Sequence, residues 1–163
     1  MSGALAEQLA GLLQAQGLML ATAESCTGGM ISAAYTDLAG SSNWFERGFV
    51  TYSNEAKKEL LGVPAPLISS HGAVSEEVAR AMASGALAHS RAQVSVAVTG
   101  VAGPAGGSAA KPVGTVWFAF ALPGRLLSEV RRFEGDRAAV RAATVRHALQ
   151  RLLELLEDSG KAG

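Results

Sequence analysis

The hydrophobic positions near both ends of the chain recur at the spacing of an amphipathic helix. Leucines recur at this spacing within residues 4–16, and Gly17 follows as a C-cap residue. Towards the other end, Asp136 opens a second such pattern, with one apolar stripe formed by Val145, Leu149, Leu152 and Leu156. The chain is therefore predicted to begin and end with helices.

Shorter patterns lie between these two helices. Apolar or alternating runs predict strands at residues 18–23, 45–53, 92–100, 113–122 and 125–133. Helices are predicted over residues 30–38 and 54–63 and in the segment that Ser75 caps, whereas Pro64 and Pro66 are predicted to lie in a connection. The last two strands form a hairpin across a Pro-Gly turn. This order predicts an α/β fold, a three-layer α/β/α sandwich around a mixed, mostly parallel β-sheet.

Composition limits the class of protein. The 163 residues carry a net charge of +0, and their 48% hydrophobic content is enough for one domain with a large core. A neutral chain has no general field for nucleic acid or an anionic membrane, so we expect neither as a partner. One cysteine, Cys26, cannot form an internal disulfide, and no signal peptide or membrane span is evident, so we expect a cytoplasmic protein.

Polar and glycine-rich segments follow three of the predicted strands. They are Ser25 to Gly29, Tyr52 to Lys57, and Gly100 to Gly107. In α/β sheets, ligands gather at the carboxyl ends of the strands. We therefore expect these three segments to form the functional site.

Two interpretations are open for Ser25, which lies where a strand is predicted to become a helix. It could simply cap that helix. It could also be a nucleophile, with the unpaired amides of Cys26 to Gly29 stabilising an oxyanion and Thr27 holding the substrate. Cys26 is interpreted as buried filler rather than as a nucleophile, and Glu24 as an orienting group or the partner of an arginine.

A serine nucleophile needs a base, and the sequence offers two candidates. His71 lies in a predicted turn, whereas the other two histidines lie in helices. Lys57 falls in the first turn of a helix capped by Ser53 or Asn54, where the helix dipole and a neighbouring lysine lower its pKa. A neutral lysine can accept a serine proton, and Tyr52 could relay it. A solvated surface lysine is the competing interpretation.

The glycine-rich loop at residues 100–107 resembles a phosphate-binding loop but leads into a strand and lacks the P-loop lysine. Its glycines allow backbone amides to approach a ligand closely, although an ordinary flexible loop has the same composition. Arg137, at the start of the last helix, could bind a phosphate or pair with Glu134. The chain shows no clustered His/Cys/Asp set, so we expect neither metal nor cofactor.

Several long segments resemble the nicotinamide-nucleotide amidase family, whose domain also forms the C-terminus of the competence/damage-inducible protein CinA. The resemblance covers residues 4–157 and is carried, in order, by AESCTGG, GSSNWFERGFVTYSNEAKKELLGV, HGAVSEEVA, GVAGPAGG with KPVGTVWFAFA, and GDRAAVR. It implies one domain of this type over residues 1–163, with the α/β/α fold expected above. We also expect a homodimer.

The resemblance further implies hydrolysis of the carboxamide of nicotinamide mononucleotide to nicotinate mononucleotide and ammonia, in NAD recycling. It assigns the nucleophile to Ser25, the lysine to Lys57 and the tyrosine to Tyr52. Substrate-binding residues are then expected at Cys26, Thr27, Gly28, Gly29, Thr99, Gly100, Gly103, Gly106 and Arg137.

Three alternatives remain open at this point. The same loops could bind a nucleotide without catalysis, in a competence or DNA-damage response. Cys26 and His71 could form the hydrolytic pair instead of Ser25 and Lys57. A plain scaffold would explain the alanine-rich helices but not the polar residues at the strand ends.

Overall fold

Five strands and six α-helices are found in residues 2–162, which are described by a computed structural model, with side chains described for residues 3–159. The strands are β1 (Leu20–Glu24), β2 (Phe45–Val50), β3 (Val94–Gly100), β4 (Thr115–Leu122) and β5 (Arg125–Arg132). The helices are α1 (Ser2–Gln16), α2 (Met30–Thr36), α3 (Asn54–Leu61), α4 (Ala65–His71), α5 (Glu76–Ala88) and α6 (Arg137–Ala162). The two ends of the predicted domain, Met1 and Gly163, lie outside the described residues.

The strands form one sheet in the order β2-β1-β3-β4-β5. β1 runs parallel to both of its neighbours, β2 and β3. β4 is antiparallel to β3 and β5, so four of the five strands point the same way. The prediction of a three-layer sandwich with a mixed sheet is confirmed, including the hairpin.

The two faces of the sheet carry side chains of different size. Bulky residues such as Val96, Phe118 and Phe120 pack on one face with α1 and α6. Small residues, including Ala97 and Ala119, line the other face beneath α5. Small side chains let a helix approach the sheet closely, and this difference follows from the period-two alternation of the strands.

The prediction of a connection around Pro64 and Pro66 is wrong, because α4 begins there. Pro64 is its N-cap residue and Pro66 lies in its first turn. A proline in the first turn of a helix removes no helical hydrogen bond, so both are compatible with a helix start. The predicted strand 45–53 also ends earlier, at Val50, because the following residues lead into α3.

The interpretation of Ser25 as a helix cap is wrong as well. Residues 25–29 form a turn, in which Gly28 and Gly29 adopt φ values of 57° and 107°, and α2 begins only at Met30. Gly29 is the N-cap residue and makes no side-chain capping bond. These left-handed conformations favour glycine, and they delay the helix by five residues after Ser25.

Candidate active site

The parallel strands β1, β2 and β3 end at one edge of the sheet, and the polar segments meet there as the sequence predicts. The Ser25 amide donates to the carbonyl of Val98, the N–O distance being 3.1 Å. The Thr51 amide donates to the carbonyl of Glu24 at 2.8 Å. These two bonds extend the sheet ladder by one residue, so the main chain at Ser25 is fixed by both neighbouring strands.

Ser25 and Lys57 are in direct contact. The Lys57 Nζ lies 3.0 Å from the Ser25 Oγ, and the Lys57 side chain is only 1% exposed. The amine also donates to the carbonyls of Thr51 at 3.0 Å and Tyr52 at 3.3 Å. Ser53 caps α3 by accepting from the Ala56 amide, which places Lys57 in the first helical turn as predicted.

Burial lowers the pKa of Lys57, and the nearby Cys26 thiol acts weakly in the opposite direction. The direction agrees with the prediction, but the principal cause is loss of solvent, whereas the prediction relied on the helix dipole and Lys58. Lys58 instead pairs with Glu55 at 2.6 Å. Within the described part of the chain, Lys57 has no carboxylate partner, so no opposite charge offsets the cost of a buried ammonium.

The turn that follows Ser25 leaves some backbone donors unused. The Gly28 amide donates back to the carbonyl of Ser25 at 3.1 Å, so it cannot belong to the predicted cradle of Cys26 to Gly29. Among residues 2–162, the amides of Cys26, Thr27 and Gly29 donate to no other residue. Of these unused donors, the amides of Cys26 and Thr27 follow Ser25 directly in the chain.

The Cys26 thiol is poorly suited to nucleophilic attack. Burial raises its pKa to about 11, so the thiolate is scarce at neutral pH. His71, the histidine proposed to pair with it, is exposed and faces Glu77, the distance from Nδ1 to Oε1 being 3.6 Å. No histidine in the described residues hydrogen-bonds to Cys26 or Ser25.

Tyr52 and Arg137 meet at the surface beside this pair. The Tyr52 ring is 60% exposed, and its hydroxyl accepts from an Arg137 Nη at 2.9 Å. The other Arg137 Nη donates to the carbonyl of Gly103 at 2.9 Å. Arg137 thus joins the glycine-rich loop to the segment before α3, and it makes no ion pair with Glu134 in the described residues. The Tyr52 group that contacts Lys57 is the carbonyl, not the hydroxyl.

The start of the glycine-rich loop has a structural role. Thr99 is buried, and its hydroxyl donates to the carbonyl of Ala73 at 2.9 Å. A Cβ on Gly100 would lie 2.7 Å from Val116, so the glycine is needed for strand packing. Gly103 and Gly106 adopt φ values of 83° and 85°. Of these four residues, Gly103 is the one that hydrogen-bonds to another predicted site residue, Arg137, in the described part of the chain.

Two cavities are relevant to the location of the site. One, of about 480 Å³, lies between the loop and the start of α6, and its walls include Ala102, Pro104, Val113 and Arg137. A larger one, of about 590 Å³, lies on the β4–β5 side of the sheet. Neither cavity is lined by Ser25 or Lys57. The candidate site is therefore located by the contact between these two residues, and the smaller cavity adjoins it through Arg137.

Sequence reasoning missed one of the two side chains that hold the Ser25 turn, Arg141, and named the other, Glu24, only as an orienting group or the partner of an arginine. Arg141 donates from Nε to the carbonyl of Cys26 at 3.1 Å and from an Nη to that of Thr27 at 3.3 Å. Residues four apart share a helix face, so the position of Arg137 could have indicated Arg141. Glu24 is fully buried and binds four donors rather than an arginine.

Among residues 2–162, no group of three or more His, Cys, Asp or Glu side chains is placed to hold a metal ion.

No helix in the described part of the chain combines the length and the apolar character needed to cross a bilayer.

A family model described as the CinA C-terminal domain matches residues 2–156. The chain belongs to the CinA C-terminal domain family. The resemblance found in the sequence is thereby confirmed.

Two curated relatives are similar to this chain over most of their own length. Nicotinamide-nucleotide amidohydrolase PncC of Escherichia coli K12 is 54% identical over 149 residues, covering 91% of this chain and 90% of the relative. The protein of the same name from Pseudomonas putida is 56% identical over 151 residues, covering 93% and 94%. The crystal structure of competence damage-inducible protein A (ComA) from Klebsiella pneumoniae has a TM-score of 0.93 and 42% identity, covering 96% and 97%.

Proposed function

We propose that this chain hydrolyses the carboxamide of nicotinamide mononucleotide to nicotinate mononucleotide and ammonia, by a Ser/Lys mechanism, in NAD recycling. The observation that carries the proposal is the 3.0 Å contact between Ser25 Oγ and the buried amine of Lys57. The names of relatives at 54% and 56% identity support the substrate. A buried nucleophile–base pair at the end of parallel strands fits an amidohydrolase.

In the first step Lys57 acts as the general base. Two of its N–H groups are engaged by the carbonyls of Thr51 and Tyr52. In the neutral amine the remaining lone pair then faces the Ser25 hydroxyl. Lys57 accepts that proton while Ser25 Oγ attacks the carboxamide carbon.

The negative charge that develops on the carboxamide oxygen requires fixed donors. The amides of Cys26 and Thr27 have no partner in the described residues and follow Ser25 directly. Backbone donors of this kind stabilise a tetrahedral intermediate without reorganisation during the reaction. We assign the oxyanion site to these two amides.

The protonated Lys57 then returns its proton to the leaving nitrogen, and ammonia departs as the carbon–nitrogen bond breaks. Water attacks the resulting ester of Ser25, giving its proton to Lys57, and releases the carboxylic acid with Ser25 reprotonated. Relay of protons through the Tyr52 hydroxyl stays a prediction; that hydroxyl accepts from Arg137.

Phosphate binding is assigned to Arg137 and the adjoining loop. Arg137 is exposed, borders the 480 Å³ cavity, and already donates to Gly103 and Tyr52. A guanidinium at a helix start offers both charge and directed donors to a phosphate. Direct substrate contacts by Gly29, Thr99, Gly100 and Gly106 stay predictions.

A single domain over residues 1–163, a cytoplasmic location and a homodimer are kept as proposals. Light scattering on the purified protein tests the homodimer, which would be contradicted by the mass of a monomer.

The proposed function is tested by measuring ammonia released from nicotinamide mononucleotide, with nicotinamide and glutamine as controls. We expect release from the mononucleotide and little from either control. Saturable binding of the mononucleotide without ammonia would instead support the non-catalytic nucleotide-binding alternative.

A further inference from the structure

Glu24 is a fully buried carboxyl group beside the proposed nucleophile. It is 0% exposed, and each of its contacts is with a donor. One oxygen accepts from the Thr27 hydroxyl at 2.5 Å and the Ile31 amide at 2.8 Å. The other accepts from the amide and hydroxyl of Ser32 at 2.9 Å and 2.8 Å. Four donors around two oxygens match the acceptor capacity of a carboxylate.

These four bonds divide into two groups with different consequences. The bonds to Ile31 and Ser32 satisfy the first turn of α2, which has no side-chain cap of its own from Gly29. The bond to Thr27 does not belong to α2. It holds the turn between Ser25 and the helix, the same turn that presents the unpartnered amides of Cys26 and Thr27.

The main chain of Glu24 links the nucleophile to the base as well. Its carbonyl accepts from the Thr51 amide at 2.8 Å, and the carbonyl of Thr51 accepts from Lys57 at 3.0 Å. Ser25 is the next residue along the chain. A shift of Glu24 therefore displaces the turn and alters the contact between Ser25 and Lys57.

We propose that Glu24 is a positioning residue for the hydrolysis. Its carboxylate, acting through the Thr27 hydroxyl, holds the turn that aims the Ser25 hydroxyl and the two amide donors. This inference rests on the proposed function for the identity of the reaction. The positioning of Ser25 by Glu24 and Thr27 does not depend on which substrate is hydrolysed. A displacement of about 1 Å in such a group is enough to slow a reaction on the order of a hundredfold.

The decisive variants remove one bond of Glu24 at a time. Thr27→Val keeps the size of the side chain but removes the donor to Glu24, and Thr27→Ser keeps the donor. Ser32→Ala is the control on the helix side, since it removes a hydroxyl bond to the same carboxylate, together with the bond between Ser32 Oγ and Thr22 Oγ1 at 2.7 Å. For Thr27→Val we expect kcat to fall about 10- to 100-fold with KM within about threefold, whereas Thr27→Ser recovers most of the rate.

A second readout does not depend on the nucleotide substrate. A fluorophosphonate that labels nucleophilic serines is followed by intact-mass spectrometry, with Ser25→Ala as the unlabelled reference. We expect Thr27→Val to slow labelling by about the same factor as kcat, and Ser32→Ala to label near the wild-type rate. If wild type is labelled at Ser25 but releases no ammonia, the proposed function fails while the positioning role is still measured.

Three outcomes would overturn the positioning role. The first is Thr27→Val matching Ser32→Ala in both kcat and labelling rate, since the bond would then contribute only to folding. The second is a rise in KM at unchanged kcat, which would assign Thr27 to substrate binding. The third is failure of Thr27→Ser to recover the rate. If Thr27→Val does not fold, Thr27→Ala is judged by the same criteria, with melting temperatures measured for every variant.

Discussion

The amine of Lys57 lies 3.0 Å from the hydroxyl of Ser25, although the two residues are 32 positions apart in the chain. The parallel pairing of β1 and β2 accounts for this approach, because both strands end at the same edge of the sheet. α3 begins four residues after β2 ends, and side chains on a helix lean towards its N-terminus. Lys57 therefore points back towards the end of β1, where Ser25 follows.

Replacing the proposed base tests this relationship. We expect Lys57→Met to lower ammonia release from nicotinamide mononucleotide by about a thousandfold, because the serine loses its proton acceptor. Lys58→Met is the matched control, since Lys58 is one-third exposed and pairs with Glu55. Equal losses in the two variants, with both folded by circular dichroism, would contradict the assignment.

The rate should depend on pH with a definite sign. Lys57 must be neutral to accept a proton, and burial lowers its pKa, so the neutral fraction grows as pH rises through that lowered value. We expect kcat/KM, measured over a pH series, to rise and level off below the ordinary lysine pKa of about 10.4. If the fall in kcat/KM at low pH is unchanged when Lys57 is replaced, the assignment of Lys57 as the base is contradicted.

Phosphate recognition by Arg137 predicts a selective loss. Arg137→Ala should lower kcat/KM for the mononucleotide about 10- to 100-fold, the range expected for a charge-assisted contact. Nicotinamide riboside, which lacks the phosphate, should be affected much less. Steady-state kinetics on both substrates give the loss of kcat/KM for each. Equal losses for the two substrates would contradict a role of Arg137 in phosphate binding.

Two helical glycines give a matched test of the packing. A Cβ on Gly85 in α5 would clash with the carbonyl of Leu61, whereas one on Gly11 in α1 would meet nothing within 4 Å. Gly85→Ala should therefore lower the free energy of unfolding by about 1–3 kcal/mol. Gly11→Ala should raise it by about 0.5–1 kcal/mol, since alanine favours the helix. Chemical denaturation measures the free energy of unfolding of both variants. Equal changes in the two would contradict the close packing of Gly85 against Leu61.

The layer order and the mixed sheet could be predicted from the sequence because the strands and most of the helices carry apolar runs or an apolar period. The start of α4 could not, since Pro64 and Pro66 favour a connection and a helix N-terminus equally. The turn after Ser25 was also missed. Its two left-handed glycines suit either a helix start or a turn, and only the positions of Glu24 and α2 distinguish them.

The candidate site could be predicted only in part from the sequence. Strand ends located Ser25 and Lys57, and the first-turn position of Lys57 gave the correct direction of its pKa shift. The depth of burial, which causes the shift, depends on how α3 packs against the sheet. The partners of Glu24 and Arg141 depend likewise on the packing of α2 and α6, which local patterns do not encode.

The most direct test of the central claim compares ammonia release by Ser25→Ala and Cys26→Ala, each with nicotinamide mononucleotide and each confirmed to be folded. We predict that Ser25→Ala loses activity by about a thousandfold or more, because the attacking oxygen is gone. Cys26→Ala should keep most of the activity, since burial raises the thiol pKa to about 11. Wild-type turnover by Ser25→Ala, or loss of activity in Cys26→Ala alone, would contradict the account.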